Sequence, residues 1–470
     1  MNKSARKYLF LAVALVTALS FLQGTRLTNA QSKTTVNWFV GLGTGTRPEQ
    51  KDAQEKFVAD FNAAHKDIEL KLQIDPNNQQ APDDLATLIA AGQAPDIVGP
   101  VGFSGANSFP GQWLDLQPQV DKTKYDLKQY DPAILALYQD PKEGLVGIPF
   151  AVFPGMLFYN KDLFDEAGLK YPPTKVGDKY SLDGKDVDWS YDTVATVAKR
   201  LTIDSAGNDA TSDKFDATKI VQYGFVHQFG TIRSEFETFG GAYVVDPASG
   251  KVKIADAWRA EAKWLWNGIW KDHSIPTNAA TNSDLLKPSE FGSGKTAMAR
   301  VMFWYTCCVP APQTFKWDFG VQPSYNGKTY APADADTFRV MKSSKNPDAA
   351  FTVLAEMLKS SSLLQTYGAY PAAPALQAPY IKLQAEKFPS VTHWDIVPEQ
   401  LSYAPAPHHE SYYPGFNKGQ LRFNDFRTLI YGDTGKDIDV DKELDKLQSD
   451  LQAIVDQAGS AATPEATKAK

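Results

Sequence analysis

The chain has 470 residues and a formal net charge of −7, with 22% charged and 43% hydrophobic residues. That balance favours solubility and argues against nucleic acid or anionic lipid as the main partner. The length exceeds what one hydrophobic core usually holds, ~250–300 residues, so two or three lobes are expected.

The first thirty residues read as an address. Lys3, Arg6 and Lys7 give a positive start, residues 9–22 are almost unbroken apolar sequence, and small residues follow at Thr28 and Ala30. Residues 1–30 are therefore expected to be a secretory signal peptide cleaved after Ala30. The apolar run is short for a membrane span of ~20 residues. No cysteine lies near the cleavage site to carry a lipid anchor. The product is expected to be exported, periplasmic or extracellular, and soluble. Cleavage removes four basic residues and no acid, which makes the mature chain more negative still.

Beyond the signal, residues 36–40 form a short β-rich run broken by Gly41, Gly43 and Gly45. From Pro48 the period becomes helical, with Ala53, Phe57, Phe61 and Ala64 on one face. Ile68, Leu70, Leu72 and Ile74 alternate with Glu69, Lys71 and Gln73, as in a half-buried strand. Leu85, Leu88 and Ile89 mark a short helix ending at Gly92, and residues 96–98 a third strand stopped by Gly99 and Pro100. Strand–helix–strand–helix–strand implies right-handed crossovers and a mostly parallel sheet. Ligands of such sheets sit beyond the carboxyl ends of the strands. Here those ends feed residues 41–47 and 100–108, where glycines admit close backbone approach and Thr44, Thr46 and Asn107 offer hydrogen bonds.

The apolar stretch 145–159 is interrupted by Pro149 and Pro154, which predicts buried strands at a crossover rather than a membrane helix. A second α/β region rich in aromatics follows. Within it, residues 256–271 are helical by spacing, with Trp258, Ala262, Leu265 and Ile269 on one stripe. A β-rich stretch resumes at Trp317, and residues 346–358 predict a helix. Val440, Leu444, Leu447, Leu451 and Ile454 define an amphipathic closing helix. Residues 458–470, small, polar and charged, are expected to be disordered.

Several enzyme signatures nearly form, and each fails. The run Gly292-Ser293-Gly294-Lys295-Thr296 has Ser289 where a phosphate-binding loop needs its leading glycine. Gly41, Gly43 and Gly45 lack dinucleotide-binding spacing, and Gly102-Phe103-Ser104-Gly105 is one residue short of a nucleophile elbow. His408, His409 and Glu410 are consecutive, and neighbours in a loop rarely point at one ion, so no metal is assigned. No catalytic residue and no cofactor is indicated. The only cysteines, Cys307 and Cys308, leave two readings open. They are either buried thiols or a vicinal disulfide beside the ligand, offering a flat sulfur face to a sugar ring. Aromatic residues make up 12% of the chain, and aromatic planes with planar polar groups are what meet pyranose rings. Trp258, Trp264, Trp266 and Trp270 are best explained by packing; Trp304 and Trp394, in irregular Pro-rich surroundings, are better cleft candidates.

From Glu143 onward the order of motifs resembles the family 1 extracellular solute-binding proteins, the maltose-binding-like receptors of bacterial ABC importers. The residues that carry the resemblance are Gly147-Ile148-Pro149, Leu157-Phe158-Tyr159-Asn160-Lys161-Asp162, Ala167-Gly168-Leu169 and Pro172-Pro173. Farther along come Trp189, Gly240-Gly241, Phe291 to Met298, Trp304 and Ser344 to Ala350, and Pro95-Asp96-Ile97-Val98 fits at the front. The resemblance implies a two-lobed α/β protein, each lobe a mostly parallel sheet flanked by helices, joined by hinge strands. The N-lobe would hold 31–149 and 317–370, and the C-lobe 150–316 and 371–457. Positions similar to sugar contacts are Gly43, Thr44, Thr46, Arg47, Gly102, Phe103, Phe153, Gln228, Phe229, Gly240, Gly241, Trp304, Tyr412 and Tyr413. Phe153 departs from the polar contact of the maltose-binding type, and the insert 180–188 and the cysteine pair are unusual.

The implied function is binding without chemistry. A carbohydrate would be held between the lobes and delivered to the membrane permease of an ABC importer, by a monomer with no cofactor, metal or membrane anchor. The alternatives are a receptor of the same fold for a polyamine, phosphate ester or peptide, a sensor partner, and an exported polysaccharide-cleaving enzyme. A cationic cargo would require a cleft rich in carboxylates, and residues 41–47 and 100–108 contain none.

Overall fold

The computed structural model describes residues 33–140, 142–310 and 314–461. The expected signal peptide lies outside them. The first half of the sheet follows from alternation. In the strand Thr34–Val40, Val36, Trp38 and Val40 are buried, and it pairs in parallel with Ile68–Ile74 and with Ile97–Val101. Helix Pro48–Ala64 connects the first two, opened by a proline at a position whose N–H needs no partner. The third strand runs through Gly99 and Pro100 to Val101, beyond its expected stop. Gly99 is a point of close approach: a Cβ there would lie 2.8 Å from the Thr337 carbonyl oxygen of the adjoining strand.

The second half has its own parallel pair, Ile220–His227 with Thr296–Met302. Between the halves runs Ala151–Asn160, buried along all ten residues, as expected for a strand with neighbours on both sides. Its first residues pair antiparallel with Ala333–Val340. Its later residues, from Gly155, pair antiparallel with Thr296–Met302 and with Trp317–Gly320. The handover falls at Pro154, which has no N–H to leave unpaired, and the Gly155 N–H turns to the Pro332 oxygen at 2.6 Å.

Trp317–Gly320 was expected to open the return to the first lobe. It pairs with the later residues of Ala151–Asn160, where Trp317 is fully buried and stacks on Phe158 with ring centroids 5.1 Å apart. The next strand to pair with the first half of the sheet is Ala333–Val340. The closing helix Val440–Ala461 is longer than expected and covers residues 458–461. Its end packs near the loop at Gly415, where Ala458 approaches, and Gln448 and Gln452 accept the N–H groups of Ile254 and Val252 at 2.8 Å. The insert at 180–188 forms a hairpin whose Tyr180 is buried on Trp189. Among the described residues no helix is long and apolar enough to cross a membrane.

Candidate functional site

A cavity of about 590 Å³ lies between the two halves, beside the handover. Its first wall is the loop 41–47, fixed by glutamines of the following helix. The Gln50 side chain accepts from the N–H groups of Gly45 and Arg47 at 3.1 and 3.4 Å and donates to the Thr44 hydroxyl at 3.2 Å. Gln54 donates to the Gly45 carbonyl at 2.8 Å. A loop tied in this way presents the same backbone to any ligand, at little ordering cost.

The opposite wall comes from the turn Phe303–Cys307, which carries Trp304 into the cavity together with a Cys307–Cys308 disulfide. Of the two readings of this pair, the structure contains the bridge, at the cavity wall. Phe229 has a left-handed backbone, φ 54°, is 48% exposed, and lies nearly parallel to Trp304 with centroids 6.0 Å apart. A bulky residue in that region of φ is strained, and such strain collects at ligand-binding positions.

The floor is charged. Asp334 accepts from Trp304 Nε1 at 3.2 Å and from His409 Nε2 at 3.0 Å, while His409 Nδ1 lies 3.2 Å from Glu237. Burial alone would lower the His409 pKa, but the carboxylates of Glu237 and Asp334 hold it up at about 10. His409 is thus a buried cation bridging two acids. His408 is neutral, pushed down to about 3 by burial and by the His409 charge. Its Nδ1 accepts the Glu410 N–H at 3.0 Å, which places its proton on Nε2.

Asp334, His408, His409 and Glu410 bring ligand atoms within 4.8 Å of one another. Within this group His409 is ion-paired to Asp334, and to Glu237 outside it, while His408 Nδ1 accepts the Glu410 N–H. Glu410 also ties the halves together. Its carboxylate accepts from Ser104 N–H at 3.2 Å, and its carbonyl accepts from Asn107 Nδ2 at 2.8 Å.

Residues 44–362 match the bacterial extracellular solute-binding protein family. The chain belongs to that family. Among curated relatives, the sn-glycerol-3-phosphate-binding periplasmic protein UgpB of Agrobacterium fabrum is 28% identical over 170 residues, spanning 35% of this chain and 37% of that protein. Solved structures match over far more of the length. Lmo0181 from Listeria monocytogenes in complex with cycloalternan is 20% identical with a TM-score of 0.69, covering 91% of this chain and 99% of that one. UgpB from Mycobacterium tuberculosis with glycerophosphocholine is 16% identical with a TM-score of 0.69, covering 90% and 99%. Maltose-bound MalE3 of T. maritima is 18% identical with a TM-score of 0.65, covering 90% and 100%. At these identities the likeness establishes the fold: the solute-binding protein is a two-lobed α/β structure with its cavity between the lobes.

Of the positions expected from sequence, Gly43, Thr44, Arg47 and Gly102 line one side of the cavity, and Phe153, Phe229 and Trp304 the rest. Others lie elsewhere. Thr46 turns its methyl toward Gly41, and Phe103 packs on Tyr138 and edge-on to His408. Gln228 is buried and accepts the Phe291 N–H at 2.7 Å. Gly240 gives its carbonyl to Trp258 Nε1 at 2.9 Å, and Gly241 abuts the Ala406 backbone. Tyr413 is buried beneath Arg233, whereas Tyr412 is exposed and stacked on Phe416. Trp394 is a core residue whose indole N–H donates to Val391.

Residues 41–47 and 100–108 contain no carboxylate, but the cleft does: Asp334, Asp336 and Glu410 line it. They arrive from the hinge strand Ala333–Val340 and from the loop before the last two helices, neither of which adjoins the strand-end loops in sequence. One signal could have found two of them: Asp334 and Asp336 are two apart on a strand, so they share a face.

Proposed function

We propose that this protein is the exported substrate-binding component of an ABC importer, which closes its lobes around a carbohydrate and hands it to a membrane permease. One observation carries the proposal: a cavity of about 590 Å³ between the lobes, walled by Phe153, Phe229 and Trp304 and rimmed by polar side chains and backbone. Its size falls in the range of small-molecule sites, ~300–1,000 Å³. Aromatic faces suit the apolar side of a sugar ring, and Thr44, Arg47, Asn78 and the floor carboxylates suit its hydroxyls. The relatives described with cycloalternan and maltose support a carbohydrate.

The N-lobe in this reading is 31–149 with a return that starts at 333 rather than 317, since Trp317–Gly320 pairs with the second half. The solute shifts an open–closed equilibrium because only the closed form touches it from both lobes, and the permease reads that form. The site residues proposed are Gly43, Thr44, Arg47, Gly102, Phe153, Phe229, Trp304 and the Cys307–Cys308 bridge.

A thermal-shift panel of mono- and oligosaccharides tests this. A ligand at 100 times its Kd adds about 2.7 kcal/mol of stability, so at least one sugar should raise Tm clearly and be recovered chemically unchanged. A panel without any shift, or a sugar returned cleaved, would end the reading. Trp304→Ala should weaken the best sugar by about 1–3 kcal/mol in calorimetry, through loss of a stacking surface and of the Asp334 hydrogen bond. Reduction of the Cys307–Cys308 bridge should lower affinity severalfold, because free thiols cannot hold the flat face against the ring. Equal affinity with and without reductant would remove the bridge from the site.

A further inference from the structure

Resting on that cleft as the binding site, we infer that the solute presents a cationic nitrogen to Asp336 and Glu410, beside the aromatic faces of Phe229 and Trp304. An amino sugar combines this group with the hydroxyl-rich body already proposed.

Around the cleft Asp336 faces no cation, and the charges of His409 and Arg233 offset Glu410 only in part. His409 is committed to Asp334 and Glu237. Arg233 donates to Gln420 and to the Ser411 carbonyl, and Arg47 lies 3.8 Å from Glu49 at the mouth. Arg300 is buried behind Gly155 and points to Ser234 at 3.5 Å. Glu410 receives one backbone donor, Ser104 N–H. What faces Asp336 is the like charge of Asp334 and Glu410, with the Tyr138 hydroxyl nearby. The two carboxylates also converge: a Cβ on Gly102 would lie 3.0 Å from Asp336 Oδ1 and 3.4 Å from Glu410 Oε2. Glycine leaves that space open.

A second, independent feature points to a ligand of the same kind. Phe229 is held half-exposed by a strained backbone and lies alongside Trp304 at the same cavity. Converging carboxylates with open π faces beside them are what proteins use to hold an ammonium group. A neutral hydroxyl can donate to one carboxylate oxygen but adds no positive charge. Without ligand, burial and the Asp334 charge push Asp336 up to about 8 and Glu410 to about 7. Near neutrality the pair therefore retains a proton, which an incoming cation displaces into solvent.

Calorimetry on the full mature chain at pH 7, in two buffers of different ionisation enthalpy, tests this. The probes are chitobiose (two glucosamine units), its N,N′-diacetyl form, maltose, choline and spermidine. We expect chitobiose to bind at least tenfold more tightly than its acetylated form and to release protons. Asp336→Asn and Glu410→Gln should each cost the amine at least tenfold more than they cost a neutral sugar. Unliganded Asp336→Asn should melt at or above the parent temperature, since it removes an unpaired acid; a purely structural role would lower it.

Neutral sugars binding as tightly as chitobiose without proton release would overturn the inference and leave the carbohydrate reading standing. Choline or spermidine binding alone, with proton release, would support the cation site and end the carbohydrate reading. If no cation binds, the inference falls whatever the neutral sugars do.

Discussion

His409→Ala is expected to destabilise the unliganded protein by about 3–5 kcal/mol, the usual consequence of removing one partner from a buried charged pair. His409 is only 3% exposed and stands between Glu237 and Asp334. Removing it leaves Glu237 fully buried and Asp334 partly buried at the cavity, each without its imidazolium partner. Each must then take up a proton or remain charged with weaker compensation, from Arg233 and Arg300 at Glu237 and from the Trp304 N–H at Asp334, and either outcome costs free energy.

The pH dependence follows with a definite sign. The His409 proton is held up to about 10 in the folded state against an ordinary value of 6.5. Its contribution is complete below 6.5 and is lost as pH rises through about 10. Urea melts should show the parent losing its advantage over His409→Ala across that window. Adding Glu237→Gln to His409→Ala should recover part of the loss, because it removes one of the stranded charges. A His409→Ala protein as stable as the parent at pH 7 would show that the bridge carries no net stabilisation.

Gly368→Ala is expected to cost about 1–3 kcal/mol from overpacking, with the left-handed backbone adding ~1 kcal/mol, and to weaken solute binding as well. Gly368 has φ 61°, and a Cβ there would collide with the Trp304 carbonyl oxygen and lie 2.8 Å from the Cys307 nitrogen. The turn that bears Trp304 and the disulfide therefore rests directly on this backbone. Gly368 in turn sits just before Tyr370–Pro371, which pairs with the long central strand at Ala151 and Val152. A methyl group at 368 must push the turn away from the cavity. Gly250→Ala is the control. Its φ is 66° with nothing within 4 Å of the added carbon, so it should show the backbone cost alone and unchanged affinity. Equal losses in the two variants would mean that the contact with the turn is immaterial.

Alternation over residues 68–74 and the helical stripe from Ala53 to Ala64 predict a strand and a helix, and both are present, although of that stripe only Phe61 is buried and the helix also buries Gln50 and Gln54. The strand-end loops followed from topology alone, and Gly43, Thr44, Arg47 and Gly102 line the cavity. Gly99 and Pro100 look like a stop, yet the third strand continues through them to Val101. Their actual role, close approach to the strand bearing Thr337, involves a partner more than two hundred residues away. Trp304 and Trp394 looked alike in sequence, each in irregular surroundings, yet one borders the cavity and the other is core.

Local pattern determined the β–α–β beginning, the buried strand 151–160, the closing helix and the loops at the strand ends, because periodicity of two or 3.6 records which face of an element meets the interior. Tertiary structure alone decided the charged floor. Glu410 meets Ser104 across 306 positions of sequence, and the protonation of His409, Asp336 and Glu410 depends on burial and on charges brought from separate segments. Electrostatic energy depends on distance through space and on loss of water, and neither is written in the spacing of residues along the chain.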